Sequence, residues 1–203
     1  KGANQAVACA KMGADTRMLG KVGDDLFGQS LLDSLQSFGV RTDLMAKEPN
    51  VTTGVASITV CEGNNCIILD GGANDKVTPE YIASFKDELL RASAIMLQLE
   101  IPMESVYAAV ELVKGKVPIF LNPAPAVPID DAILRGVDYF TPNEIECRLY
   151  ANREVRSPEE AFAALDALRD KGVRYPLITL GAKGVAYFNG QENVHKPGRR
   201  SEE

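Results

Sequence analysis

Ala94-Ile95-Met96-Leu97-Gln98-Leu99-Glu100, then a run from Met103 to Lys114, then Val117-Pro118-Ile119-Phe120-Leu121 decide the fold class. The first stretch is apolar enough for a strand covered on both faces. The second has helical spacing and ends near Gly115, a residue that stops helices well. The third repeats the strand signal. Parallel neighbours need a crossover of about a dozen residues or more, so this is a βαβ unit.

The same alternation extends in both directions. Downstream, Asp130 to Leu134 is a short helix, Tyr139-Phe140 a short strand and Glu144 to Tyr150 a helix. Ser157-Pro158-Glu159-Glu160 reads as a capping box opening a helix through Phe162, Leu165 and Leu168 to Gly172. Leu177 to Leu180 and Val185 to Phe188 are strands. Upstream, Thr78 and Pro79 suit the N-cap and first position of one helix that carries Ile82, Phe85 and Leu89 on a single face. Ala3 to Met12 is a helix stopped by Gly13, Thr16 to Val22 a strand, and Asp25 to Phe38 an amphipathic helix with Leu31, Leu32, Leu35 and Phe38 at helical spacing. Val51 to Val60 and Cys66 to Leu69 form a hairpin about the turn Glu62-Gly63-Asn64-Asn65. The expected architecture is α/β: a mostly parallel central sheet flanked by helices, one domain over residues 1–203, with a small β-hairpin lid at 51–70.

Composition narrows the function classes. The 203 residues include 22 Lys and Arg against 28 Asp and Glu, for a net charge of -6. That balance argues against a partner held by phosphate neutralisation, such as nucleic acid. No apolar run approaches the ~18 residues that span a bilayer, so no membrane partner is expected. No secretory leader is legible, and cytoplasmic is the expected location. Of the four cysteines, Cys9, Cys61, Cys66 and Cys147, none lies in a CxxC. Cys61 and Cys66 flank the hairpin turn and could face each other across it, but free thiols are the expected state.

In a parallel sheet, ligands collect at the carboxyl ends of the strands. The positions to inspect are Glu100, Asn122-Pro123, Asn143 and Gly181. Glu100 can accept hydrogen bonds from sugar hydroxyls, or serve as a helix N-terminal acid favoured by the dipole. Asn143 and Glu146 have capping-box spacing, which also suits phosphate oxygens and hydrated Mg²⁺. Thr179-Leu180-Gly181-Ala182-Lys183-Gly184 has two glycines that let backbone approach a flat ligand or phosphate, or that simply make a turn. Lys1-Gly2-Ala3-Asn4 opens a helix, whose N–H groups suit hydroxyls or anions. Neither GxxxxGK[ST] nor GxGxxG occurs, and the single histidine, His195, reads as a surface residue in a polar tail.

Taken in order, these fragments resemble the ribokinase branch of the carbohydrate kinase family named for phosphofructokinase B. Lys1-Gly2-Ala3-Asn4-Gln5-Ala6 is similar to the family's GGKGANQA sugar motif without its two leading glycines. Val22-Gly23-Asp24-Asp25-Leu26-Phe27-Gly28 resembles its VGxDxxG run, Thr53-Gly54-Val55-Ala56 its lid strand, and Gly71-Gly72-Ala73-Asn74 the segment after the lid. Leu97 to Glu100, Asn122-Pro123-Ala124-Pro125-Ala126, Thr141-Pro142-Asn143-Glu144 and Thr179 to Gly184 follow in the family's order, and the first two of these narrow the resemblance to the ribokinase branch.

The resemblance implies ATP-dependent phosphorylation of the 5-hydroxyl of D-ribose, with Mg²⁺ and a monovalent cation, K⁺, as cofactors. It implies that Lys1, Gly2, Asn4 and Glu100 lie at the sugar and that Ala56, Ile58 and Leu69 cover it from the lid. It implies ATP contacts from Asn143, Thr179, Leu180, Gly181, Ala182, Lys183 and Gly184, and water-mediated Mg²⁺ placement by Glu146. It also implies a homodimer formed through the lid. A sibling deoxyribokinase, fructokinase or nucleoside kinase, and a truncated non-catalytic form that binds nucleotide or sugar, are the alternatives. The family's catalytic Asp motif is expected beyond Glu203 and the upstream sugar strand before Lys1, so the 203-residue chain alone is expected to be inactive.

Overall fold

The computed structural model describes residues 1–61 and 64–198. Its contacts divide into two compact units, Lys1–Phe85 with Glu100–Ser105, and Lys86–Leu99 with Val106 onward.

The first unit opens with α1 (Gly2–Lys11), β1 (Arg17–Gly23), α2 (Leu26–Ser37) and β2 (Arg41–Glu48). β1 and β2 pair in parallel. Ala6, Leu35 and Val40 form a buried cluster, with Ala3, Val7, Ala10, Met18 and Leu31 against it. Leu31 and Leu35 belong to the apolar stripe that the spacing of α2 predicts, whereas Phe38, expected on the same stripe, is 44% exposed. β3 (Val55–Cys61) and β4 (Asn64–Asp70) form an antiparallel hairpin. Its register pairs Cys66 with Thr59 and Cys61 with Asn64. The two cysteines are therefore not cross-strand partners, and their side chains lie outside the described residues. A 3₁₀ turn over Gly72–Lys76 leads to α3 (Pro79–Ser84), capped by Thr78, whose hydroxyl accepts from the Tyr81 amide at 3.2 Å. The Tyr81 hydroxyl lies 3.1 Å from the Gly20 carbonyl oxygen and 3.0 Å from that of Leu44, so α3 braces both parallel strands.

The second unit holds α4 (Lys86–Arg91), β5 (Ile95–Leu97), α5 (Met103–Val113), β6 (Ile119–Leu121), α6 (Asp131–Leu134), β7 (Tyr139–Phe140), α7 (Glu144–Tyr150), α8 (Pro158–Asp170), β8 (Tyr175–Thr179), β9 (Val185–Phe188) and β10 (Asn193–Lys196). The six strands lie in the order β10-β9-β8-β7-β6-β5. β5 through β8 run parallel, and β9 and β10 are antiparallel additions. Because the order is sequential, right-handed crossovers place α5 to α8 on one face. Ile119, Leu121, Phe140, Ile178 and Ala186 on the strands are fully buried, as are Val106, Val110, Val113, Leu165 and Leu168 on the helices.

Several expectations are corrected. The single helix expected after Thr78 breaks at Phe85, whose ring sits edge-on to Tyr81 at 5.2 Å, and gives α3 and α4. The box at Ser157 is half made: its hydroxyl accepts from the Glu160 amide at 3.2 Å, but Glu160 takes the Arg156 amide at 2.6 Å instead of that of Ser157. His195 is not in a tail. It lies half-buried in β10, with Nε2 2.7 Å from the Lys183 carbonyl oxygen. A carbonyl only accepts, so Nε2 carries the proton.

Candidate functional site

The residues expected at the sugar fall in the first unit. The backbone nitrogen of Lys1 lies 2.6 Å from Glu100 Oε2, which brings the start of α1 beside the acid that follows β5. Glu100 is half-buried, with 27% of its side chain exposed, so water or a hydroxyl can reach its oxygens. Its segment is fastened by the buried Ser105, which donates to the Val77 carbonyl at 2.6 Å. Gly2 lies in the first turn of α1, and Asn4, in the same turn, is exposed.

The hairpin residues share one face. Register pairs Ala56 with Leu69, and Ile58 lies two residues from Ala56 on the same strand. Ile58 is 59% and Leu69 54% exposed. Ala56, Ile58 and Leu69 thus present an apolar strand face that is open to solvent.

The residues expected at the nucleotide fall in the second unit and converge there. Asn143 caps α7. Its Oδ1 accepts from the Glu146 amide at 2.8 Å, and Glu146 Oε2 accepts from the Asn143 amide at 2.8 Å. The capping box is therefore complete. Asn143 Nδ2 also donates to Glu146 Oε1 at 3.2 Å. Glu146 is buried, at 7% exposure. Beside it, burial and then the charges of Glu146 and Glu144 push the Cys147 thiol up to about 12, so that thiol is inert.

An isolated parallel bridge joins Asn143 to Thr179, with the Thr179 amide donating to the Pro142 carbonyl at 3.0 Å. The two motifs, 36 positions apart by their numbering, thus meet at the carboxyl end of β7 and β8. Thr179 is exposed, and Leu180 beneath it is buried. The turn that follows closes through Leu180 N to Gly184 O at 2.8 Å. Gly181 has φ 52, and a Cβ there would meet nothing within 4 Å, so open space lies over the turn. Ala182 and Lys183 are exposed beside it, and Lys183 Nζ donates to the Arg156 carbonyl. Asn122 Nδ2 adds a strand-end tie to the Thr141 carbonyl at 2.9 Å.

No group of three or more His, Cys, Asp or Glu placed to hold a metal occurs among the described residues. Glu146 already accepts at both oxygens. That donor set fits a hydrated Mg²⁺ reached through water and held mainly by a ligand's phosphates, not a cage of protein ligands. The capping role sets a stability cost. Asn143→Ala is expected to lower stability by about 1 kcal/mol, because the side-chain arm of the box is lost while the backbone amide of residue 143 can still donate to Glu146; urea unfolding measures it.

Two ties close to the candidate residues have no signal in the sequence. One is the tie of Asp25 to Thr53, in which Thr53 Oγ1 donates to Asp25 Oδ1 at 2.6 Å across 28 positions. The other is the backing of the glycine turn by His195 in β10.

Comparison with known proteins agrees with this geometry. The family model described as pfkB family carbohydrate kinase matches residues 1–203. The chain is 38% identical over 203 residues to a deoxyribokinase of Salmonella typhi, covering 98% of this chain and 66% of that protein. It is 38% identical over 201 residues to a ribokinase of Bacillus subtilis strain 168, covering 97% of this chain and 64% of that one. The solved structure of Arabidopsis thaliana ribokinase complexed with ribose and ATP superposes with a TM-score of 0.89 at 30% identity, covering 97% of this chain and 65% of that one. The chain thus spans somewhat under two thirds of the length of these relatives. It belongs to the pfkB family of carbohydrate kinases.

Proposed function

We propose that this chain serves an ATP-dependent kinase that phosphorylates the 5-hydroxyl of D-ribose. The observation that carries the kinase reading is the bridge from Asn143 to Thr179, which brings the two segments proposed to hold the nucleotide together at the carboxyl ends of β7 and β8. Glu100 accepts hydrogen bonds from sugar hydroxyls and, with Lys1, Gly2 and Asn4, orients the ring. Ala56, Ile58 and Leu69 exclude water over it. The open turn from Thr179 to Gly184 receives the nucleotide, and the second N–H of Asn143 donates to a phosphate oxygen. Mg²⁺, when bound, neutralises phosphate charge, and Glu146 orients its water. None of these acids is given the role of base, because Glu100 and Glu146 are committed elsewhere. Phosphoryl transfer depends mainly on positioning and charge neutralisation, which such residues supply. Family likeness adds K⁺, a second copy through the hairpin and a cytoplasmic setting to the reading.

The likeness to a deoxyribokinase favours a second reading, with 2-deoxyribose as substrate. ADP release by the protein encoded by the gene that carries this sequence separates the two. Ribose is expected to give a kcat/KM roughly 10²-fold above that of 2-deoxyribose, since a site built to hydrogen-bond a hydroxyl rejects the analogue lacking it. The reverse order would establish the second reading, and turnover with neither would refute both.

A further inference from the structure

The lid hairpin leaves its unit through two short segments, and both are held in one knot. Asp25 Oδ1 accepts from the Gly28 amide at 2.7 Å and from the Thr53 hydroxyl at 2.6 Å, while Oδ2 accepts from the Thr53 amide at 2.7 Å. The Thr53 hydroxyl in turn accepts from the Gly23 amide at 2.9 Å. Thr53 is buried, at 5% exposure. On the returning segment, the Ala73 amide donates to the Thr52 carbonyl at 2.8 Å. A Cβ on Gly28 would stand 2.3 Å from the Gly23 carbonyl oxygen, and one on Gly54 would stand 2.3 Å from Asn74 Nδ2. One on Gly72 would stand 2.4 Å from the Thr52 carbonyl oxygen. These segments are in backbone contact, with no room to slide.

Helix capping explains only part of this. An N-cap needs one acceptor for one early helical amide. Asp25 provides that for Gly28 and spends its other bonds on Thr53, two residues before β3 begins. An isolated two-stranded hairpin is marginal in water, so its root decides its angle. We propose that Asp25 and Thr53 form a clamp that sets the angle of the hairpin, and that both are positioning residues for the sugar, acting through Ala56, Ile58 and Leu69. The link to the sugar rests on the function proposed above; the clamp rests on the bonds alone. The Thr53 hydroxyl, then the Thr53 amide, then the Gly28 amide hold the Asp25 carboxyl below its ordinary value of 3.8, so it stays ionised at neutral pH.

Two variants separate clamp from cap. Thr53→Val keeps the shape and leaves the Asp25–Gly28 cap, but strands the Gly23 amide. Asp25→Asn remains a good N-cap, yet turns an NH₂ toward one of the donors. Hydrogen exchange on the 203-residue chain reads the clamp. Amides of residues 55–60 and 68–70 are expected to exchange about tenfold faster in both variants, with Thr53→Ser close to the parent. In the protein encoded by the whole gene, Thr53→Val is expected to raise the ribose KM about tenfold, with kcat and the ATP KM within about twofold. Unchanged hairpin exchange overturns the clamp. So does faster exchange spread equally over α2 and β1, which would mark a merely structural role. Faster hairpin exchange with an unchanged ribose KM, in an enzyme active on ribose, overturns the link to the sugar. Absence of ribose turnover in the parent refutes the proposed function and leaves the clamp to the exchange result.

Discussion

Glu100→Ala is expected to lower kcat/KM for the sugar about a hundredfold while leaving the KM for ATP unchanged. The carboxylate sits directly after the buried Leu99, with its Oε2 2.6 Å from the backbone nitrogen of Lys1. Two acceptor oxygens lost from a half-buried position remove charged hydrogen bonds worth roughly 1.5–3 kcal/mol. Glu100→Gln keeps one acceptor and the shape, so its loss should be nearer tenfold. Stability should barely move, because removing a partly exposed carboxylate opens no cavity and strands no buried group. Steady-state kinetics with the sugar varied, paired with urea unfolding, measures both. Unchanged kinetics in Glu100→Ala would remove the sugar contact from this residue.

The second large effect concerns the glycine turn. Gly184 has φ 97 and ψ -128, a region all but closed to other residues. A Cβ there would stand 2.0 Å from the Lys196 carbonyl oxygen and 2.4 Å from the Gly198 amide nitrogen. Gly184→Ala must therefore push the backbone after β10 away and break the Leu180–Gly184 bond, at an expected cost of about 3 kcal/mol or more. Gly181→Ala meets open space and pays only for its left-handed backbone at φ 52, about 1 kcal/mol. Urea unfolding of the two variants should separate them clearly, and calorimetry with ATP should show the larger loss of affinity in Gly184→Ala. Equal destabilisation would mean that close packing behind the turn does not matter.

Much of this was legible in the residues. The box between Asn143 and Glu146 formed in full because its partners are three residues apart and need only a local turn. The strands at Ile95–Leu97 and Ile119–Leu121 announce themselves because both are short, wholly apolar runs bounded by turn residues, although Met96 in the edge strand is 44% exposed. β2 did not announce itself. Its run Arg41-Thr42-Asp43-Leu44-Met45-Ala46-Lys47-Glu48 is half charged, and only Leu44 is buried. Its place comes from pairing with β1 and from ion pairs such as Lys21 to Glu48 at 2.7 Å. The box expected at Ser157 shows the converse: the spacing is right, but Glu160 finds the Arg156 amide instead.

Near and distant partners thus divide the molecule. The fold class, the hairpin and the strand-end candidates follow from periodicity and turn chemistry, since burial on one face and hydrogen bonding within a turn are set by neighbours in the chain. The partners of Asp25, Glu100 and Thr179 do not. Asp25 meets Thr53 across 28 positions and Glu100 meets Lys1 across 99, and each meeting depends on how whole elements pack. A carboxylate accepts from whichever donor the packing delivers. Residue type therefore named the chemistry available at each of these positions, and strand register and close glycine contacts chose the partner.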